Sequence, residues 1–242
     1  MTLLLLAGTG EARAIANILA REGIPAVASL AGATRQPAAL AIPTRIGGYG
    51  DADGFRDFLR EAGISAVLDA THPFAVRMSQ RSAAVAKEMG LPYAMFLRPE
   101  WEPGPGDIWV MIDKEKDAAR HIPVGATVFL ATGRQTLDQF ANLEGRHLIC
   151  RQIDPPDSPF PFPSGEYRIG RPPFSVADEV ALFRELGVDW LVVKNAGGIA
   201  SRSKLDAARQ LELPVAMIRR PAQPDVPKLE TVDEAIAWVR DL

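Results

Sequence analysis

The chain has 242 residues, 47% of them hydrophobic, one cysteine, and a formal charge of −3 from 27 basic and 30 acidic side chains. Such a chain can bury a large core, which excludes intrinsic disorder, and a single thiol excludes an internal disulfide or a Cys-rich zinc or iron–sulfur site. The slight acidity supplies no overall drive toward nucleic acid or anionic lipid.

At roughly 150 residues per domain the length fits one large domain or two small ones, and 20 glycines with 20 prolines predict many tight turns. Leu3–Ala7 is an apolar run with no basic segment before it, and Glu11 and Arg13 follow at once. It is too short for a secretion signal or for the roughly 20 residues of a membrane span, and it reads as a buried strand. No later run is long enough to cross a bilayer, so a cytoplasmic protein without a membrane or nucleic-acid partner is expected. The pattern Glu11–Glu22 predicts a helix with Ile15, Ile18 and Leu19 on one face, stopped by Gly23. Strands follow at Ala26–Leu30, Thr44–Ile46, Ala66–Leu68 and Tyr93–Leu97, with helices at Asp53–Ala62 and Val76–Met89.

Pro99–Asp107 holds three prolines and two glycines and reads as an interdomain linker. Beyond it, strands are predicted at Ile108–Ile112, Thr127–Ala131, His147–Arg151, Asp189–Val193 and Val215–Ile218. Helices are predicted at Leu137–Asn142, Val176–Leu186, Lys204–Glu212 and Val232–Val239. Seven prolines between Asp154 and Phe174 predict an irregular surface loop, and Pro221–Pro227 an extended tail. The alternation predicts an α/β protein of two doubly wound parallel sheets, in domains 1–98, open to a strand from the C-terminal part, and 107–242.

In such sheets ligands bind beyond the carboxyl ends of the strands, and four strand ends carry polar residues. Gly8-Thr9-Gly10-Glu11 joins the first strand to a helix, where backbone N–H groups and the helix dipole accept a phosphate. Arg13 occupies the third position of an otherwise dinucleotide-like glycine pattern, so a plain glycine turn is the competing explanation. The second strand end lacks the acidic residue that usually meets a free ribose 2′-hydroxyl. Ser29 and Arg35 suit a 2′-phosphate instead, which favours NADPH over NADH, against a merely solvated Arg35. His72, in Asp69-Ala70-Thr71-His72-Pro73-Phe74, suits contact with nicotinamide or a substrate acid, or proton transfer, against an ordinary surface histidine. Gly133, Arg134 and Gln135 follow one strand and Lys194 and Asn195 another. With Lys204 they make a local basic pocket for a substrate bearing several carboxylates or phosphates, or else are solvated cations.

Cys150, inside a strand, reads as a small core residue. No GxxxxGK[ST] or GxSxG motif occurs, and no Tyr is followed four residues later by Lys. His121 and His147 lack partner spacing and no HExxH is present, so no metal site is expected.

The strings Gly8–Arg13, Arg45–Gly50, Asp69–Phe74, Arg98–Trp101, Phe129–Gln135, Val193–Gly198, Leu213–Val215 and Arg220-Pro221 together resemble the precorrin-6A reductase family of cobalamin biosynthesis, in order and over nearly the whole chain. The resemblance implies two Rossmann-like domains that exchange their last strands, one for coenzyme and one for the tetrapyrrole. It implies hydride transfer from NADPH that reduces the C18=C19 bond of precorrin-6A to precorrin-6B. It carries Gly48 and Thr71 over as coenzyme contacts beside Gly8, Thr9, Gly10, Glu11, Ser29, Arg35 and His72. It carries His72, Phe74, Gly133, Arg134, Gln135, Lys194, Asn195 and Lys204 over as tetrapyrrole contacts. Positioning of the nicotinamide against the acceptor carbon supplies much of the catalysis, C18 takes its proton from solvent, and His72 positions, with proton transfer as an alternative. The Pro-rich 154–174 loop is a candidate lid, and a monomer is expected. Two alternatives stand beside this: a cobalt-precorrin-6A reductase using NADH, and a non-catalytic dinucleotide sensor.

Overall fold

The computed structural model describes residues 1–32, 39–199 and 201–242. The chain forms two units, Met1–Pro99 with Pro221–Leu242, and Glu100–Arg220.

The first unit begins with β1 (Leu3–Leu6), α1 (Gly10–Arg21), β2 (Ala26–Leu30), β3 (Thr44–Ile46), α2 (Ala52–Glu61), β4 (Ala66–Asp69), α3 (Val76–Glu88) and β5 (Tyr93–Phe96). All four leucines of β1 are buried because both sheet faces are covered. Leu3 and Leu5 pack with Ile15 and Leu19 of α1, and Leu4 and Leu6 with Phe55 and Leu59 of α2. The helices start where the sequence supplies caps: Thr9 Oγ1 accepts the Ala12 N–H at 3.1 Å, and Asp51 accepts that of Gly54 at 3.0 Å.

The second unit holds β6 (Trp109–Ile112), a 3₁₀ helix (Glu115–Arg120), β7 (Thr127–Leu130), a second 3₁₀ segment (Arg134–Phe140), β8 (His147–Gln152), β9 (Gly165–Ile169), α4 (Val176–Glu185), β10 (Trp190–Lys194), α5 (Ser203–Gln210) and β11 (Val215–Ile218). The remaining elements, β12 (Lys228–Leu229) and α6 (Val232–Arg240), belong to the first unit.

Both sheets are wholly parallel, six-stranded and wound in the same order, β3–β2–β1–β4–β5–β12 and β9–β8–β7–β10–β11–β6. The last strands are exchanged. β6 follows β5 along the chain but pairs with β11, and β12 follows β11 but pairs with β5. One consequence corrects the expected 107–242 domain: Pro221–Leu242 belongs to the first unit, where Ala235, Ile236 and Val239 of α6 join the β1–α1 core.

Three other expectations change. The presumed linker is packed within the second unit from Glu100 onward. Trp101 is buried, and the Asp107 carboxylate accepts Arg209 Nε at 3.0 Å and Nη2 at 2.7 Å. Prolines and glycines there shape turns that polar side chains hold. The helix expected at Leu137–Asn142 is 3₁₀ and starts at Arg134. The 154–174 segment is not wholly irregular, because Gly165–Ile169 pairs with β8 as an edge strand.

A buried ion pair ties α4 to the second sheet. The Arg151 Nη atoms each donate to one Glu179 carboxylate oxygen at 2.8 Å, and the two side chains are only 8% and 1% exposed. The guanidinium also lies over the rings of Phe129 (4.9 Å) and Phe174 (4.3 Å). Removing one partner strands a buried charge. The expected outcome for Glu179→Gln is a loss of roughly 3 to 5 kcal/mol of unfolding free energy, measured by urea denaturation against the parent protein.

Candidate functional site

In the first unit, β1 and β4 are adjacent parallel strands, and the chain leaves their carboxyl ends through the Gly8–Glu11 and Ala70–Phe74 turns. Gly8 has φ +142°, and a Cβ placed on Gly8 or Gly10 would meet no protein atom within 4 Å. Thr9 joins the two turns, since its hydroxyl donates to the Ala70 carbonyl at 2.9 Å while capping α1. The Gly10 and Glu11 N–H groups at the start of α1 lie outside the intrahelical ladder, while those of Ala12 and Arg13 are taken by Thr9. The donors, the dipole and the glycine space fit the pyrophosphate of a dinucleotide.

The β4 turn is set by Asp69, which is fully buried. One carboxylate oxygen accepts the Thr71 N–H at 3.0 Å and its hydroxyl at 2.7 Å, and the other accepts the Tyr93 hydroxyl at 2.8 Å. Burial, reinforced by the Asp69 charge, pushes the Tyr93 phenol far above its ordinary pKa, so it remains a donor. Tyr93 and Asp69 are site residues that the strand-end pattern alone does not single out. A carboxylate closing an otherwise apolar strand was the available signal.

His72 is exposed, and its Nδ1 accepts the Phe74 N–H at 3.2 Å. A neutral ring held this way carries its proton on Nε2. The Phe74 ring centroid lies 5.7 Å from that of His72. Glu11 is paired with Arg98 at 2.9 Å, and burial draws the Arg98 guanidinium below its ordinary pKa while Glu11 opposes the shift. Ser29 is buried beside Tyr49, whose ring carries the Arg45 guanidinium at 4.1 Å. Arg45 Nη2 also donates to the Gly48 carbonyl at 2.8 Å. Arg35 lies outside the described residues.

In the second unit β7 and β10 are the adjacent central strands. Gly133 has φ +72° with open space at its Cβ position. Arg134 and Gln135 are exposed, and Arg134 lies 3.7 Å from Asp157. Lys194 is mostly buried: Nζ donates to Thr136 Oγ1 at 3.1 Å and lies 3.6 Å from Glu115. Burial pulls its ammonium below the usual lysine pKa, and Glu115 opposes the shift. Lys204 donates to the Ser201 carbonyl and lies 5.5 Å from the Trp101 ring.

Asn195, expected to contact substrate, is committed elsewhere. Its Oδ1 accepts the Trp101 N–H at 2.9 Å and its Nδ2 donates to the Trp101 carbonyl at 3.0 Å. The side chain replaces a missing strand partner for Trp101, a role that sequence alone does not distinguish from ligand binding. Cys150 is a core residue, and burial pushes its thiol up to about 11.

A cavity of about 300 Å³ lined by Phe140, Leu143, Arg146, Leu148 and Phe162 opens at the amino ends of β8 and β9, the opposite edge from these polar residues. Among the described residues no His, Cys, Asp and Glu cluster able to hold a metal occurs, and no helix is long and apolar enough to cross a membrane.

The profile of the family described as Precorrin-6x reductase CbiJ/CobK matches residues 2–240. A precorrin-6A reductase of Rhodococcus erythropolis is 47% identical over 99% of this chain and 98% of its own length. One of Rhodobacter capsulatus is 41% identical over 99% and 96%. A cobalt-precorrin-6A reductase of Priestia megaterium is 29% identical over 90% of each chain. A solved structure titled CobK precorrin-6A reductase superposes with a TM-score of 0.96 at 40% identity, covering 100% of this chain and 96% of that one.

Asn195→Ala leaves both backbone polar groups of Trp101 without the amide that satisfies them. The expected loss is about 1 to 3 kcal/mol of unfolding free energy, read from the shift in denaturation midpoint at constant slope.

Proposed function

The chain belongs to the precorrin-6x reductase family, and we propose that it reduces precorrin-6A with NADPH, its first unit taking the coenzyme and its second the tetrapyrrole. The observation that carries this reading is the contrast between the polar strand ends. The first unit offers an open glycine turn at a helix N-terminus, and the second a set of cations in an acidic protein.

Gly8, Thr9, Gly10 and Glu11 receive the pyrophosphate. Thr9 rigidifies the approach by tying the β1 turn to the β4 turn, and Arg98 pairs with Glu11 so that its carboxylate does not oppose the phosphates unbalanced. Ser29, Arg35 and Gly48 hold the adenosine ribose, where Arg35 pairs with a 2′-phosphate. Asp69 fixes Thr71, and His72 and Phe74 on the same turn contact the nicotinamide.

The coenzyme, when bound, supplies the hydride that saturates C18=C19 and yields precorrin-6B. The protein holds the acceptor carbon in place. Arg134, Lys194 and Lys204 pair with acetate and propionate arms, with Gly133 and Gln135 at the same strand end, and solvent supplies the proton at C18. No dedicated acid is required, so His72 orients. The protein works as a cytoplasmic monomer.

Purified protein mixed with precorrin-6A and either NADPH or NADH, followed by absorbance, tests the assignment. NADPH is expected to support turnover far better, and equal use of NADH would overturn the 2′-phosphate reading. Arg35→Ala is expected to weaken NADPH roughly 10- to 100-fold, the value of a charge-assisted contact, and to leave NADH nearly unchanged. Arg134→Ala is expected to raise the KM for precorrin-6A about 10-fold without altering that for NADPH, as steady-state kinetics with each substrate varied will show.

A further inference from the structure

Across the second sheet, Val192, Leu130 and Cys150 are Cα partners on β10, β7 and β8. Two residues on, Lys194 and Gln152 close β10 and β8 on the same face as Val192 and Cys150, and Thr132 lies in the turn that follows β7, its carbonyl 3.4 Å from Lys194 Nζ. Three polar side chains thus stand at the carboxyl edge of the sheet, beyond the apolar layer. Lys194 is satisfied through Thr136 and Glu115. The other two are not: Gln152 is only 6% exposed, and neither its Nε2 nor its Oε1 has a hydrogen-bond partner among the described residues. The Thr132 hydroxyl, in the turn after β7, the strand next to β8, is buried and has no hydrogen-bond partner among the described residues either.

Native interiors satisfy nearly all buried polar atoms, because an unmade hydrogen bond is a standing loss of stability. A leucine or methionine at Gln152 would extend the apolar layer and remove that loss. Three orphaned atoms, two on the last residue of β8 and one in the turn after the neighbouring β7, at the ligand-binding edge of a parallel sheet therefore point to a group that arrives from outside.

We infer that Gln152 and Thr132 form a donor subsite for one carboxylate arm of the tetrapyrrole, beside Lys194. The Gln152 side chain has three rotatable bonds, and rotation about them brings Nε2 to the strand mouth. There Nε2 and the Thr132 hydroxyl donate to the carboxylate oxygens, Lys194 balances the charge, and Oε1 accepts from a water carried with the acid. Two neutral donors beside one cation recognise an acid at lower desolvation than a second cation. The inference rests on the tetrapyrrole binding the second unit.

The test compares Gln152→Met with the parent protein by thermal unfolding without ligand and by precorrin-6A and NADPH titrations. The expected result is a raised melting temperature together with precorrin-6A affinity weakened roughly 10-fold or more, at unchanged NADPH affinity. Thr132→Val, nearly isosteric, is expected to weaken precorrin-6A in the same direction and secures the test if the first variant folds poorly. If both bind precorrin-6A like the parent while Arg134→Ala does not, the Gln152–Thr132 subsite is wrong and the second unit keeps its role. If Arg134→Ala also binds like the parent, the placement of the tetrapyrrole fails, and the subsite with it.

Discussion

Parallel pairing is the constraint from which the rest of this protein follows. Parallel strands cannot be joined by a tight turn, so each connection crosses over a sheet face and covers it. Covered faces demand strands that are apolar on both sides, which is why β1 is four consecutive leucines, all buried. The same geometry sends every carboxyl end to one edge of the sheet. Polar residues that the core cannot accept collect there, and ligand chemistry becomes possible only there.

The two units apply this constraint with opposite electrostatics. At the centre of the first sheet, β4 ends on Asp69, whose carboxylate is consumed by Thr71 and Tyr93, so the strand end presents hydroxyls, backbone donors and a histidine. At the centre of the second, β10 ends on Lys194, which keeps a cation at the rim despite burial because Glu115 and Thr136 hold it. A net charge of −3 conceals this division. What matters to a polyanionic substrate is the local arrangement of charge, and screening makes distant acidic residues nearly irrelevant to it.

Much of the fold was legible because burial on both faces writes long apolar runs into short strands, and glycines mark the turns between them. The misses have two causes. β9 and β12 lie at sheet edges, where one side of the strand makes no sheet pairing and the apolar signal is weak, so Gly165–Ile169 and Lys228–Leu229 resembled loop. Pro99–Asp107 has the composition of a linker, yet Trp101 and Asp107 are fastened by Asn195 and Arg209, residues about a hundred positions away. Local sequence carries no trace of such partners. The candidate site divides in the same way. Gly8, Thr9, Gly133 and Lys194 were found by position after a strand, whereas Tyr93, Glu115 and Gln152 emerge only when neighbouring strands are set side by side.

By itself the sequence determined the alternation of strands and helices, the parallel class, the family and the strand ends that matter, since these depend on patterns within a few tens of residues. Only the tertiary structure decided that α6 joins the core of the first sheet, that Asn195 braces Trp101, and that Gln152 and the Thr132 hydroxyl are buried without partners among the described residues at the carboxyl edge of the second sheet. Those outcomes depend on register between strands distant in the chain. Register follows from the packing of whole layers against one another, which no single segment encodes.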